Sequence, residues 1–258
     1  MANETLVAAL DRLTGDVVKG KVPRKIKTGV NALDELLGGG IFLGPNLVFV
    51  SGESGCCASG LTFQAALNLA SDGMRVLFFA LESDERHAAT RLVRSATGLD
   101  AYCQLDAAQR ISFADSANAL KDLPLELHAA DSTTICMMND AVKSAVEELS
   151  EPLVIIVDGA DYIARCDEAG LAASLKSIAI EWHVPIFCGV TSFDLDSFLN
   201  IALLCDEAVY LQNQGSGNVV MRLVKSRTRA CRDAQSIETR FDAKTLTFGH
   251  DVGEKHAE

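Results

Sequence analysis

Residues 47–60 read LVFVSGESGCCASG, and this stretch decides the fold. Leu47, Val48, Phe49 and Val50 form an apolar run that enters a glycine-bearing turn, and a helix opens at Ser59. Strand, turn and helix N-terminus in that order are the setting of a phosphate-binding loop, where converging backbone N–H groups and the helix dipole favour an anion. The full pattern of such a loop is G-x-x-x-x-G-K-[ST]. Its glycines let the backbone close on phosphate, its lysine reaches the outer phosphates, and its hydroxyl meets Mg²⁺. Here Gly52 fills the first glycine, and Gly55 lies within the turn. Cys57 stands at the second glycine, Ala58 replaces the lysine, and Ser59 keeps the hydroxyl. As a pattern the match fails; its position between strand and helix makes it readable.

Working outward, strand and helix signals alternate. Apolar runs rich in Val, Ile and Phe predict strands over Leu47–Ser51, Arg75–Ala80, Leu125–Ala129, Leu153–Asp158 and Pro185–Val190. Continuous runs of this kind suit parallel strands covered on both faces. Helical segments separate them, over about Ser59–Ser71, Asp84–Thr97, Asp106–Lys121, Asn139–Leu149 and Glu168–Trp182. Such alternation builds right-handed βαβ units and a doubly wound α/β sheet. Toward the end, short runs at Ala208–Leu211, Val219–Val224, Ser236–Phe241 and Thr245–Phe248 predict an antiparallel extension of that sheet. Leu6, Leu10, Leu13 and Val17 recur on one helical face, which predicts a helix within residues 1–18. KGKVPRKIK, residues 19–27, reads as a basic linker. Residues 28–249 then form one domain and 250–258 a frayed tail.

The composition narrows the class. Of 258 residues, 48% are hydrophobic and 22% charged, which excludes a disordered chain. No apolar run reaches the ~18–20 residues of a membrane helix, and the N-terminus lacks a signal-peptide pattern, so the expectation is a soluble cytoplasmic protein with no membrane partner. The net charge of −12 means that any nucleic-acid contact must come from a local basic patch. The eight cysteines include no C-x-x-C and no cluster with histidine at zinc spacing, so they read as reduced, structural thiols.

Several segments together resemble the C-terminal ATPase domain of DnaB-type replicative helicases, a RecA-like, three-layer P-loop NTPase fold with a mostly parallel sheet and antiparallel C-terminal strands. KTGVNALDELLGGGIFLGPNLVFVSG is similar to that family's opening segment, and LFFALESDERHAATRLVRSATGLD to its second strand and following helix. DLPLELHAADSTT, LVIIVDGADYI and HVPIFCGVTSF follow in the order of its third strand, Walker B strand and sensor strand, and VKSRTRA is similar to its lysine and arginine finger segment. KaiC and RadA proteins share the fold, but the LESDE segment, residues 81–85, favours the helicase branch. The resemblance runs from about Lys27 to His250. It implies ATP and Mg²⁺ as cofactors, a homo-oligomer of ring or filament type, and single-stranded DNA as a partner. It implies further that Glu82 polarises the attacking water, that Asp158 holds Mg²⁺ through water and Ser59 directly, and that Lys225 and Arg227 reach the γ-phosphate bound by a neighbouring subunit. Read without the family, Lys225 and Arg227 are equally a solvated face of a strand. The family's separate N-terminal, primase-contacting domain has no counterpart in the sequence.

The departures from the family carry as much information. Losing the loop lysine removes charge-assisted hydrogen bonds worth roughly 1.5–3 kcal/mol, which is about 10–150-fold in nucleotide affinity. Cys57 places a Cβ where the backbone needs a positive φ or a close approach to phosphate. The sensor-strand glutamine is replaced by the neighbourhood of Val190, Thr191 and Ser192. The segments that line the DNA channel in the family shrink to RCDEAG, residues 165–170, and FDLDSFLN, residues 193–200, which offer almost no cations to phosphates. The basic residues lie instead in 19–27, Arg86–Arg94 and Arg222–Arg232, as solvated faces or as nucleic-acid contacts. The function expected is that of a divergent DnaB-like helicase-family member with weak or lost ATP hydrolysis. The alternatives are a non-enzymatic assembly or regulatory protein on the same fold, and an active ATPase helped by Lys225 in trans.

Overall fold

The computed structural model describes residues 5–53, 55–129, 133–148, 152–163, 168–191, 194–227 and 235–249. The chain opens with helix α1 (Leu6–Val18), capped by Thr5, whose Oγ1 accepts from the Ala8 N–H. Strand β1 (Lys25–Ile26) pairs antiparallel with β2 (Ile41–Phe42), and helix α2 (Asn31–Leu36) lies between them in sequence. There follow β3 (Leu47–Gly52), α3 (Ala58–Ser71), β4 (Arg75–Ala80), α4 (Glu85–Thr97), α5 (Ala107–Leu120), β5 (Leu125–Ala129), α6 (Ile135–Glu148) and β6 (Leu153–Asp158). Next come α7 (Glu168–Trp182), β7 (Ile186–Gly189), α8 (Leu195–Ile201), β8 (Glu207–Gly215), β9 (Asn218–Ser226), β10 (Ser236–Asp242) and β11 (Thr247–Phe248).

One nine-stranded sheet runs in the order β11-β10-β9-β8-β3-β7-β6-β4-β5. From β8 to β5 all neighbours are parallel, and from β8 to β11 all are antiparallel. Successive side chains on a strand point to opposite faces, and this alternation divides the core. Val48, Val50, Phe78, Ile156 and Phe187 face a cluster with Leu33 of α2 and Leu61, Phe63 and Leu69 of α3. Leu47, Phe49, Phe79, Ile155 and Cys188 face a second cluster with Val142 of α6, Leu175 of α7 and Phe198 of α8. Helices on both faces of a mostly parallel sheet make the three-layer RecA-like architecture, and they explain why the central strands read as unbroken apolar runs.

The structure departs from the sequence reading in three places. Strand β8 pairs parallel with β3, so the antiparallel extension begins only at β9. The reason is α8, a short helix in the stretch read as a loop over 193–200; it supplies the crossover that a parallel neighbour requires. The segment read as a linker also ends early. Ile26 is buried, and Lys25 Nζ donates to the Leu37 and Gly38 carbonyls while lying over the Phe42 ring. Helix α1 presents its apolar stripe outward, with Leu6 75%, Leu10 50%, Leu13 60% and Val17 67% exposed. Among the described residues no helix is long and apolar enough to cross a membrane. The tail at 250–258 lies outside the described residues.

The opening segment Thr28–Leu37 is organised by one buried carboxylate. Asp34 Oδ1 accepts from the Thr28 N–H at 2.8 Å and the Thr28 hydroxyl at 2.9 Å, and Oδ2 accepts from the Gly29 N–H at 3.1 Å. Asn68 of α3 donates to the Thr28 carbonyl at 3.1 Å and ties this turn to the sheet's helical layer. Removing the carboxylate leaves several buried donors without acceptors, each costing ~1–3 kcal/mol. Asp34→Ala is therefore expected to lower stability by about 2–4 kcal/mol in urea unfolding, and Asp34→Asn, which keeps one acceptor, by about half as much.

Candidate functional site

A pocket of about 240 Å³ opens at the C-terminal ends of β3, β6 and β7. This is the edge at which open α/β sheets take ligands. Gly52, Gly55, Cys57, Ala58, Ser59, Glu82 and Asp158 all line it, together with Glu53, Gly159, Gly189, Val190 and Thr191. Chain connectivity brings them together: β3 delivers the loop, α3 begins at its end, and β6 carries Asp158 two strands away.

The loop is held from behind. The Glu53 N–H donates to the Leu211 carbonyl at 3.0 Å, and Glu53 Oε2 accepts from the Asn213 N–H at 3.0 Å, so β8 anchors the turn. Gly52 must be glycine, because a Cβ there would stand 2.6 Å from Leu211 Cβ. Cys57 caps α3 in the left-handed region, at φ 54° and ψ 49°. The loop keeps the turn that its pattern reserves for glycine, at a cost of about 1–2 kcal/mol for a residue with a Cβ. Ser54 lies outside the described residues.

Asp158 is fully buried and surrounded by donors. Ser59 Oγ donates to its Oδ2 at 2.7 Å, and Thr62 Oγ1 lies 2.7 Å from its Oδ1. Arg91 of α4 reaches in from the side. Its Nη1 donates to Ser59 Oγ at 2.7 Å and stands 3.9 Å from Asp158 Oδ2, while its guanidinium lies 4.1 Å from the Phe63 ring centroid. Burial raises the Asp158 pKa, against the lowering effect of Arg91 and the two hydroxyls. Glu82 is also raised, first by desolvation and then by the Asp158 charge. The thiols are pushed the same way: Cys56 up to about 11 by burial and by Glu53, and Cys57 upward by burial. Neither has the depressed pKa of a nucleophilic cysteine. Cys166 and Cys231 lie outside the described residues, among which no cluster of His, Cys, Asp and Glu could hold a metal.

These residues do not fit a Mg²⁺–nucleotide as they stand. Among the described residues the lining carries Glu53, Glu82 and Asp158 and no lysine or arginine. The Ser59 hydroxyl, the direct ligand that the resemblance implies, already donates to Asp158 and accepts from Arg91. A cation on that oxygen would sit beside a guanidinium, and like unit charges 4 Å apart near a protein surface repel by about 4 kcal/mol.

Lys225 and Arg227 are not brought to this pocket. They lie where β9 ends beside the start of β8, at the opposite end of the sheet. Lys225 Nζ donates to the Ala202 and Leu203 carbonyls, and Arg227 pairs with Asp206 at 3.5 Å and is half-exposed. The basic stretch Arg86–Arg94 is engaged within the chain as well. Arg86 lies over Tyr102, and Arg94 pairs with Asp100 at 2.7 Å and donates to the Ala243 and Lys244 carbonyls. Residues 165–167 of the first channel segment and residues 228–234 lie outside the described residues. Sequence reasoning missed Arg91 and Thr62 as members of the site. The available signal was helical spacing: Arg91 flanks the buried stripe of Ala88 and Leu92, which points it toward the sheet.

An open α/β sheet with a wound loop after β3, a helix on that loop and a buried carboxylate ending β6 defines the RecA-like class of P-loop domain. Residues 25–190 match the model of the DnaB-like helicase C terminal domain, and the chain belongs to that family. Among solved structures, it superposes on a DnaB-like replicative helicase, studied for its interactions with primase, with a TM-score of 0.77 and 12% identity over 95% of this chain and 67% of that one. It is similar to the ATPase domain of G40P with a TM-score of 0.78 and 12% identity, over 95% of this chain and 98% of that one. Comparison with curated protein sequences gives no match.

The raised carboxylates fix a pH dependence. Asp34, Glu82 and Asp158 hold protons in the native state at pH values where the unfolded chain has released them. Their contribution to stability therefore grows as pH falls through the raised values and is complete below the ordinary carboxylate pKa of about 4. The urea midpoint is expected to rise as the pH is lowered toward the ordinary carboxylate range. Asp158→Asn should flatten that slope when the same titration is repeated.

Proposed function

We propose that this chain is a divergent RecA-like subunit of the DnaB-like helicase family that binds ATP weakly, hydrolyses it slowly or not at all, and acts chiefly by assembling. The observation that carries this reading is a phosphate loop without a cation: Ala58 and Cys57 stand at its lysine and glycine, and among the described residues no lysine or arginine lines the pocket. Catalysis of phosphoryl transfer depends on positive charge at the transferring group. Glu82 lines the pocket and is the residue we assign to polarising a water, but among the described residues no positive group in the lining would stabilise the charge that develops.

ATP–Mg²⁺ is expected to bind at tens of micromolar or weaker by calorimetry. Cys57→Gly with Ala58→Lys should tighten it by roughly 10–150-fold. Submicromolar affinity of the unaltered chain would overturn the reading, and so would ATP turnover stimulated by single-stranded DNA. Single-stranded DNA is expected to bind poorly at physiological salt, because the arginines of α4 are engaged within the chain and α8 starts with acidic residues. Anisotropy titrations reporting nanomolar binding with a steep salt slope would contradict this.

Assembly is supported by α1. A lone short helix is marginal in water, yet this one turns its leucines and valines away from its own domain. We read it as a helix that packs on a neighbouring copy, with the polar residues 19–24 as tether, in a cytoplasmic homo-oligomer. Deleting residues 1–18 should leave a folded monomer with an unchanged melting temperature. Light scattering on the full chain at tens of micromolar should show an oligomer that the deletion abolishes, and a monomeric full chain would end this proposal.

A further inference from the structure

Arg91, read from the sequence only as part of the basic stretch Arg86–Arg94, stands directly behind the pocket. Among the described residues it is the only cation within 4 Å of Asp158. Its approach is built rather than incidental. The guanidinium lies over the Phe63 ring, 4.1 Å from its centroid, and Phe63 is packed edge-on against Phe78, with centroids 4.8 Å apart and planes at 88°. From that platform Nη1 reaches Ser59 Oγ at 2.7 Å, and Ser59 in turn donates to Asp158. Thr62 occupies the other carboxylate oxygen. Both residues implied as metal ligands are thus committed to one closed network, and its positive member is a side chain.

We infer that Arg91 is a resident cation that takes the place of a divalent metal at Ser59 and Asp158, so that the pocket works without Mg²⁺. A guanidinium is always charged and forms hydrogen bonds in fixed directions. It neutralises Asp158 and polarises Ser59 with no ion taken up from solution. From behind the lining, its charge is spent on Ser59 and Asp158 and does not depend on the concentration of free metal. This concerns the same pocket as the proposed function, but it does not rest on the nucleotide affinity, since the metal alone is the first probe.

The experiment is a Mn²⁺ titration of the full chain without nucleotide, followed by electron paramagnetic resonance. The unaltered protein is expected to bind no Mn²⁺ below about 1 mM, a limit set well above micromolar nucleotide-linked sites. Arg91→Gln, which keeps the side chain's length, should gain one site at least ~10-fold tighter than this, about 1.4 kcal/mol. Adding Asp158→Asn to that variant should remove the site again. A site in the unaltered protein that Asp158→Asn abolishes would overturn the inference, as would a folded Arg91→Gln variant that gains none. Should Arg91→Gln unfold, the Cys57→Gly, Ala58→Lys protein, which retains Arg91, decides the matter. Its ADP affinity should agree within about twofold with Mg²⁺ and with EDTA, and a tenfold gain from Mg²⁺ would refute the role assigned to Arg91.

Discussion

The upper end of the sheet depends on a carboxylate sealed from water. Asp158 ends a strand buried along its whole length, and a charge in that place is tolerable only when every oxygen has a partner. Ser59 and Thr62 supply those partners from the first turns of α3, so the helix after the loop is bound to a strand that is not its sequence neighbour. The intervening strand must leave room for this contact. A Cβ at Gly189 would stand 2.9 Å from Thr62 Cγ2 and 3.4 Å from Asp158 Oδ1. The pocket is therefore the space left when three strands and a helix close around one acid, and Arg91 completes the closure from α4.

Family membership and the chemistry of the loop rest on different residues. The fold survives at 12% identity to its solved counterparts because it is specified by apolar runs, glycine turns and alternation, which many sequences satisfy. The chemistry of a phosphate loop rests on a handful of side chains, and those are the ones that differ. The same architecture hosts many activities, and which activity it hosts is read from the site rather than from the fold.

Most of the sheet was legible because its central strands are covered on both faces and leave an unbroken apolar signature. The strands at Arg75–Ala80, Leu125–Ala129 and Leu153–Asp158 were read to their ends. Helix α8 was not, since a seven-residue helix spans too little chain for a 3.6-residue period to emerge. Its one local signal was Asp194, which caps the Ser197 N–H at 2.8 Å. Missing it also hid the parallel pairing of β8. Strands β1 and β2, of two residues each, are shorter than any alternation that could announce them. Within the pocket, the loop and both carboxylates were placed by their positions at strand ends. Arg91 was not, because its partners lie on α3 and β6, and only the packing of α4 brings them within reach.

The left-handed turn at Cys57 bears on how such a loop persists through change. Its form is supported by β8 behind it and by the helix after it, with a cysteine where the pattern has glycine. The loop behaves as a mould cast by the scaffold, whose outline endures when the residues that once justified it are exchanged. A lineage built on such a mould can shed and reacquire chemistry one side chain at a time without passing through an unfolded ancestor.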